Sequence, residues 1–177
     1  SPLIDKEDIM AALQRYEGVL VDYYYQGMQK KLGLTTHEAD DNQLAFSLLD
    51  ILMKNNMDYT RSFRTLSHVS KTDIVCSLRD DCLDRDTFDA WFKRYKERLQ
   101  RESISDSQRK QQMQAVNPKF ILRNYLAQTA IEKAEKGDFS ELDTLLMLVQ
   151  NPYDEHPNYE HYANIPPDWG QHLEISC

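Results

Sequence analysis

Helix-breaking residues are scarce in this sequence, and their positions constrain the fold more than any other feature. The 177 residues include only five glycines and six prolines. They fall mostly where an apolar periodicity of 3.6 residues stops, which is typical of successive helices. No segment shows the alternation of apolar and polar residues that marks a half-buried strand. The sequence therefore predicts an all-α fold, an irregular helical subdomain of about seven helices, over residues 1–150.

Most of the predicted helices begin at a residue whose side chain can accept hydrogen bonds from the backbone N–H groups of the first turn. Ser105 and Gln108 form a capping box, and Asn117 precedes a proline at the first helical position. Residues 68–82 are expected to be irregular. The helices are predicted from Asp5 to Gly33, Asp40 to Asn55, Asp58 to Leu66, about Asp84 to Leu99, Ser105 to Ala115, Asn117 to Gly137, and Ser140 to a point before Pro152.

Apolar residues at helical spacing mark the face that each helix is expected to bury. On the first helix these are Ile9, Leu13, Tyr16, Leu20, Tyr23, Tyr24 and Met28. On the second and fourth helices they are Leu44, Leu48, Ile51, Leu52, Phe88, Trp91, Phe92, Tyr95 and Leu99. On the last two they are Phe120, Ile121, Tyr125, Ala127, Ile131, Ala134, Leu142, Leu145, Leu146 and Val149. The residues of the fourth helix expected to face water are Lys93, Arg94, Lys96, Glu97 and Arg98.

Residues 151–177 form a tail of different composition. Four prolines oppose regular backbone hydrogen bonding there, so the tail is predicted to be extended. Its apolar side chains provide enough area to pack along a helical surface, and we expect the tail to wrap the helices. These side chains are Tyr153, Tyr159, Tyr162, Ile165, Trp169 and Leu173.

Charge and hydropathy exclude several classes of protein. A net charge of -8 and dispersed basic residues oppose nucleic-acid binding. No apolar run approaches the length of a membrane-spanning helix, and the first residues lack the features of a signal peptide. Three cysteines without a CxxC pair suit a reducing compartment. A soluble cytoplasmic protein without nucleic-acid or membrane partners is expected.

The sequence contains no glycine-rich phosphate loop, no HExxH zinc motif and no GxSxG nucleophile elbow. We therefore assign no catalytic, cofactor-binding or metal-binding residue within this chain. Clustered histidines of the tail could bind a metal, but ordinary surface or packing roles are favoured. These histidines are His156, His161 and His172.

Two further groups have alternative interpretations. Cys76 and Cys82 could form a small-loop disulfide, but two free thiols are favoured, with Cys82 as an apolar filler. Arg61 and Arg64 lie one helical turn apart beside Asp58, where an anion could bind. A solvated helix face with an ordinary ion pair is the favoured interpretation.

Several segments resemble the C-terminal region of the selenoprotein O (YdiU) family, and together the similarity covers nearly the whole chain. The segments are Asp58–Ser67 (DYTRSFRTLS), Leu83–Leu99, Asn117–Gln128 (NPKFILRNYLAQ), Ile131–Asp138, Pro166–Gly170 and the final Ser176-Cys177. The resemblance implies a protein-kinase-like fold, of which this chain is the distal part of the C-lobe. It also implies transfer of AMP from ATP, or UMP from UTP, to protein hydroxyls with Mg²⁺ or Mn²⁺. The family's nucleotide and metal residues lie outside the matched region, so none is carried over.

Cys177 is the single site residue that the resemblance supplies. It falls where animal members place selenocysteine, although the two serines that usually follow are missing. The resemblance implies that this thiol pairs with a cysteine upstream of residue 1, as a redox switch that tethers the tail. The expected partners are thus the N-terminal kinase-like part of the same bacterial protein and its protein substrates. A non-catalytic helical interaction module is the alternative, and an exposed apolar face on the first helix or the tail would suit either hypothesis.

Overall fold

The computed structural model describes residues 5–171 and 173. Within these residues the chain is helical and contains no strand, so the predicted all-α fold is confirmed. The α-helices are α1 (Lys6–Leu32), α2 (Asp41–Lys54), α3 (Tyr59–Leu66), α4 (Arg85–Gln100), α5 (Asp106–Gln114), α6 (Asn124–Ala134) and α7 (Ser140–Gln150). Short 3₁₀ helices occupy Ser77–Asp81, Pro157–Ala163 and Asp168–Gly170.

The helix termini follow the predicted capping chemistry. Asp5, Asp58 and Asp84 each accept a hydrogen bond from a first-turn backbone N–H, and Ser105 forms the complete capping box with Gln108. Gly33 ends α1 with φ of 72°, a left-handed conformation that glycine adopts without steric cost. These caps confirm most of the helix bounds.

The larger core is built around α4, whose aromatic face packs against α2 and the C-terminal end of α1. Trp91 and Tyr95 are buried, and each finds a backbone acceptor for its polar atom. Trp91 Nε1 donates to the Leu44 carbonyl at 2.9 Å, and Tyr95 Oη donates to the Leu32 carbonyl at 2.8 Å. Buried Tyr and Trp side chains usually have such a partner for the polar atom, while their rings contribute a large buried apolar area. The predicted buried faces of α2 and α4 are confirmed.

Arg98 is an exception on α4, because it was predicted to face water but is buried. Its Nε lies 2.6 Å from Asp41 Oδ1, and its Nη1 lies 2.7 Å from Glu102 Oε1. Burial opposes ionisation of Glu102, but hydrogen bonds from Thr35, Thr36 and Arg98 hold its pKa at about 2. The guanidinium is therefore an internal cross-link between α2 and α4, which helical spacing alone did not indicate.

A smaller second core lies between α6, α7 and the tail. Its buried side chains are Phe120, Leu126, Ala130, Leu145, Leu148 and Tyr162. Several apolar residues predicted to be buried on these helices are instead exposed, namely Ile131, Leu142, Leu146 and Val149. The helical period was therefore predicted correctly, while the buried faces of α6 and α7 were partly wrong.

The start of α6 was also predicted wrongly, since it begins at Asn124 and not at Asn117. Asn117 is buried and uses its side chain in long-range bonds: Nδ2 donates to the Lys31 carbonyl, and Oδ1 accepts from Lys31 Nζ. The backbone N–H groups of Lys119 and Phe120 both donate to the Pro152 carbonyl. Tertiary partners thus satisfy a segment that local sequence signals favoured as helix.

The segments expected to lack helix contain short 3₁₀ turns. One lies within residues 68–82, and two lie in the tail. A 3₁₀ turn needs few hydrogen bonds, and a proline is tolerated at its first position, as at Pro157. The tail is therefore extended only between these turns.

The N-terminal two thirds of α1 has almost no packing partner among the described residues. Met28 and Leu32 are the buried residues of this helix. The predicted apolar positions nearer the N-terminus are 44% to 74% exposed. The apolar periodicity is present, but its expected burial is not found within the described chain. No described helix combines the length and apolar character required to cross a bilayer.

Candidate functional site on the anchored tail

The tail is the part of the chain to which sequence analysis assigned a functional residue. Cys177 lies outside the described residues, as does His172. The structure describes the tail as far as Gln171, together with Leu173. The geometry of the candidate site is therefore that of the contacts holding the tail to the helices.

Arg64 of α3 forms the first anchor. Its side chain is buried, and Nη1 donates to the carbonyls of Gln114 and Asn117 at 3.1 and 3.0 Å. Nη2 donates to the Tyr153 carbonyl at 3.1 Å and to Glu155 Oε1 at 2.6 Å. One guanidinium therefore joins α3, the end of α5 and the tail. The favoured prediction of a solvated face at Arg64 was wrong, because its η nitrogens already have protein acceptors.

Glu155 is the tail residue on which two cations converge. Its Oε2 lies 2.7 Å from Lys119 Nζ, and Oε1 accepts from Arg64. Partial burial opposes ionisation, but the hydrogen bonds from Lys119 and Arg64 hold the pKa of Glu155 at about 2. Lys119 also reaches Glu160 at 2.5 Å, and its own pKa is raised by these carboxylates despite partial burial. The resulting cluster stays charged at neutral pH.

The far end of the tail is held at the beginning of α6. Asn124 Nδ2 donates to the Leu173 carbonyl at 2.8 Å, and the Trp169 ring meets the Tyr125 ring edge-on at 6.0 Å. A Cβ added to Gly170 would lie 2.6 Å from Tyr125 Cβ, so glycine permits this close approach. The described part of the tail is therefore attached to the beginning of α6.

A further ion pair, between Asp58 and Arg123, joins the beginning of α3 to the residue before α6. Asp58 caps α3 through the backbone N–H of Arg61 and also accepts from Arg123 Nη1 at 2.5 Å. Burial raises the pKa of Asp58, but these hydrogen bonds outweigh that effect and lower it. Arg61 pairs with Asp81 at 3.0 Å. The ordinary ion pair predicted between Asp58 and a neighbouring arginine is therefore wrong, because Asp58 pairs with Arg123 and Arg61 pairs with Asp81.

Cys76 and Cys82 are buried and free, which confirms the favoured prediction. Burial raises the pKa of Cys76 to about 11 and also raises the pKa of Cys82. A protonated thiol is a poor nucleophile, so both are chemically quiet at neutral pH. Cys82 Sγ donates to the Leu78 carbonyl at 3.4 Å and fits its predicted role as a small filler.

The possible metal ligands of the described residues do not converge on one point. Residues 5–171 and 173 contain no group of three or more His, Cys, Asp or Glu side chains placed to hold a metal ion. His156 packs edge-on against Phe120, and His161 lies against Tyr162. The two glycines with positive φ, Gly33 and Gly137, follow α1 and α6 and do not open a phosphate-binding turn.

Sequence reasoning missed the anchors themselves. Arg64 and Glu155 are 91 residues apart, and no spacing rule connects them. One local signal was available: Arg64 lies between Phe63 and Leu66 in a helix of only eight residues. An arginine so close to the buried face of a short helix indicates a buried partner.

These features define a helical unit with an anchored C-terminal tail. A protein-family model described as "Protein adenylyltransferase SelO" matches residues 1–150 of this chain. The chain therefore belongs to the SelO family of protein adenylyltransferases, which confirms the resemblance found in the sequence.

Individual relatives give the same result over the whole chain. The protein nucleotidyltransferase YdiU of Yersinia pseudotuberculosis serotype O:1b (strain IP 31758) is 48% identical over 177 residues. The proteins of that name from Aliivibrio salmonicida (strain LFI1238) and Salmonella schwarzengrund (strain CVM19633) are 48% and 44% identical over 177 residues. All of this chain is matched, but it spans only 36% to 37% of the length of these curated relatives.

Proposed function

We propose that this chain is the C-terminal helical part of a bacterial, cytoplasmic protein nucleotidyltransferase. The complete enzyme transfers AMP from ATP, or UMP from UTP, to Ser, Thr or Tyr hydroxyls of proteins. The observation that carries this proposal is 48% identity to a protein nucleotidyltransferase over all 177 residues, which cover 37% of that relative. Activity therefore belongs to the complete protein, and this part supports it.

The nucleotide and its Mg²⁺ or Mn²⁺ bind in the N-terminal kinase-like part under this proposal. The described residues lack a suitable group of metal ligands, which supports that division. Residues 1–150 act as the supporting helical unit, and the tail, residues 151–177, is tethered to the upstream part. This unit also presents a surface to protein substrates.

The tail carries Cys177 as a redox-regulatory thiol. The anchors at Arg64 and at Asn124 support this role, because they fix the tail close to its last residues. The four residues after Leu173 span at most about 14 Å when fully extended. The family resemblance implies a partner cysteine in the upstream part, and the buried Cys76 and Cys82, with their raised pKa values, are poorly suited to replace it. A disulfide forms there when both thiols give up their protons and two electrons to a disulfide oxidant by thiol–disulfide exchange.

Intact-protein mass spectrometry tests the proposal. The complete gene product and the 177-residue chain are each incubated with ATP or UTP and Mg²⁺ or Mn²⁺, with a mixture of bacterial proteins as acceptors. We expect mass increases of one AMP or UMP group only with the complete protein. Transfer by the 177-residue chain alone would overturn the assignment of catalysis to the upstream part.

A non-catalytic interaction module is the second candidate function. The exposed apolar side of α1 supports it, because such a surface is typical of a protein-binding site. The same experiment separates the two. A complete protein that is folded yet transfers neither nucleotide under any of these conditions favours the module.

A further inference from the structure

The first helix carries an unpartnered apolar ridge made of Ile9, Leu13, Tyr16, Leu20 and Tyr23. These side chains are 45% to 74% exposed. Their successive spacings of four, three, four and three residues place them on one face of the helix. This is the spacing of a seam that packs against another helix. Met28 and Leu32, which attach α1 to the larger core, lie on a different face.

Two aromatic residues that follow the ridge in sequence, Tyr24 and Tyr25, attach α1 to α2. Tyr24 stacks on Phe46 at a centroid distance of 6.3 Å, and Tyr25 meets the same ring edge-on at 6.0 Å. Phe46 itself remains 45% exposed.

The exposed area is too large for an ordinary surface helix. The five ridge residues together expose roughly 600 Å², which is at the upper end of the largest apolar patch found on a typical monomer. A contiguous apolar patch of that size indicates an interaction surface. An isolated helix of this length gains little stability in water without a packed face.

The length of the relatives and the charge of α1 indicate which element covers the ridge. The curated relatives are nearly three times as long as this chain, so roughly 300 residues of each lie outside the match and provide ample covering surface. A second copy is disfavoured because residues 5–24 carry five acidic and two basic residues, a net charge of -3. Two such helices would bring like charges together along the seam.

We propose that the ridge of α1 packs against a helix of the upstream part of the same polypeptide. This inference rests on the proposed function only in placing this chain after that larger part. The contact is a permanent intramolecular interface that attaches the helical unit to the catalytic region. It makes α1, with its far end seated on α2 through Phe46, the structural link between the two.

Photo-crosslinking in the complete protein tests the inference. A benzophenone amino acid replaces Tyr16 on the ridge or, as a matched control, Asp22 on the opposite face of the same exposed helix. We expect the Tyr16 site to crosslink to peptides that precede residue 1 of the same polypeptide, at least tenfold more than the Asp22 site. Dimeric crosslinked products, crosslinks confined to this chain, or equal yields at both sites would overturn the inference.

Stability provides a second readout in the complete protein. The double substitution Leu13→Glu with Leu20→Glu should lower the melting temperature by several degrees, while Asp22→Lys should not. An unchanged melting temperature in the double variant would contradict a buried ridge. Neither readout depends on nucleotide transfer: a complete protein that crosslinks as expected but transfers no nucleotide would leave this inference standing and defeat the proposed function.

Discussion

At the scale of single residues, two buried arginines do most to connect distant parts of the chain. Arg98 joins α2 to the end of α4, and Arg64 joins α3 to the tail. Arg98 belongs to a helix whose apolar pattern was predicted correctly, but a charged residue on a helix is ordinarily placed in water. Their burial depends on acceptors far away in sequence, which a single sequence does not identify.

Replacing Arg98 should be strongly destabilising. Arg98→Met leaves the buried carboxylates of Asp41 and Glu102 without their cation, so we expect a loss of about 3–5 kcal/mol in the free energy of unfolding. Urea denaturation of the chain measures it. Arg94→Met on the exposed side of α4 is the control and should change stability by less than about 0.5 kcal/mol. Equal effects of the two substitutions would contradict the internal ion pair.

Glu155 makes a pH-dependent contribution to the tail anchor. Its folded pKa of about 2 lies below the ordinary value, so its stabilisation is complete at neutral pH and is lost as the pH falls toward 2. Glu155→Gln should therefore destabilise the protein by about 1 kcal/mol at pH 7, and the difference from the unsubstituted chain should shrink below about pH 4.5.

Urea unfolding curves between pH 3 and pH 7 measure this difference. Glu135→Gln, at an exposed position near the end of α6, is the matched control and should show no such trend. A constant difference across the pH range would show that the Glu155 carboxylate does not act as described.

The thiols of Cys76 and Cys82 should resist alkylation in the folded protein. The raised pKa of Cys76, about 11, lowers its thiolate fraction at pH 8 about 100-fold relative to an ordinary thiol. Treatment with iodoacetamide followed by peptide mass spectrometry should label both residues only after addition of denaturant. Rapid labelling of either residue in the folded chain would refute its buried, protonated state.

At the scale of elements, helix ends were predicted better than buried faces. Caps are local, so Asp58, Ser105 and Gly33 could be identified from a few neighbouring residues. The segment from Asn117 to Arg123 shows the limit of that reasoning. Its cap and proline favour a helix, but long-range bonds to Lys31 and Pro152 compete successfully. The buried faces of α6 and α7 depend on what packs beside them, which the helical period does not contain.

Gly18 within α1 and Gly33, which caps the end of α1, should respond in opposite directions to alanine. At Gly33 a Cβ would lie 2.7 Å from Arg109 Cγ and Met113 Sδ, and φ is positive, so Gly33→Ala should cost more than about 1 kcal/mol. At Gly18 nothing lies within 4 Å of the added Cβ, so Gly18→Ala should stabilise the helix by about 0.5–1 kcal/mol. Thermal unfolding of both variants checks the pair, and a gain at Gly33 would contradict the C-cap geometry.

At the scale of the whole molecule, the sequence predicted the fold class and the family, but not the division into two cores. The tail contributes Tyr162 to the second core, so part of it belongs to the packed structure. The apolar pattern of α1 was visible in the sequence, while its exposure required the structure.

Reconstitution from two polypeptides tests the proposal that this chain supports an active site located upstream. The upstream part and the 177-residue chain are expressed separately or together, and incorporation of AMP or UMP into protein is measured. We predict that the two parts purify as a complex that transfers nucleotide, and that neither part does so alone. Transfer by the upstream part at the same rate with or without this chain would contradict the claim.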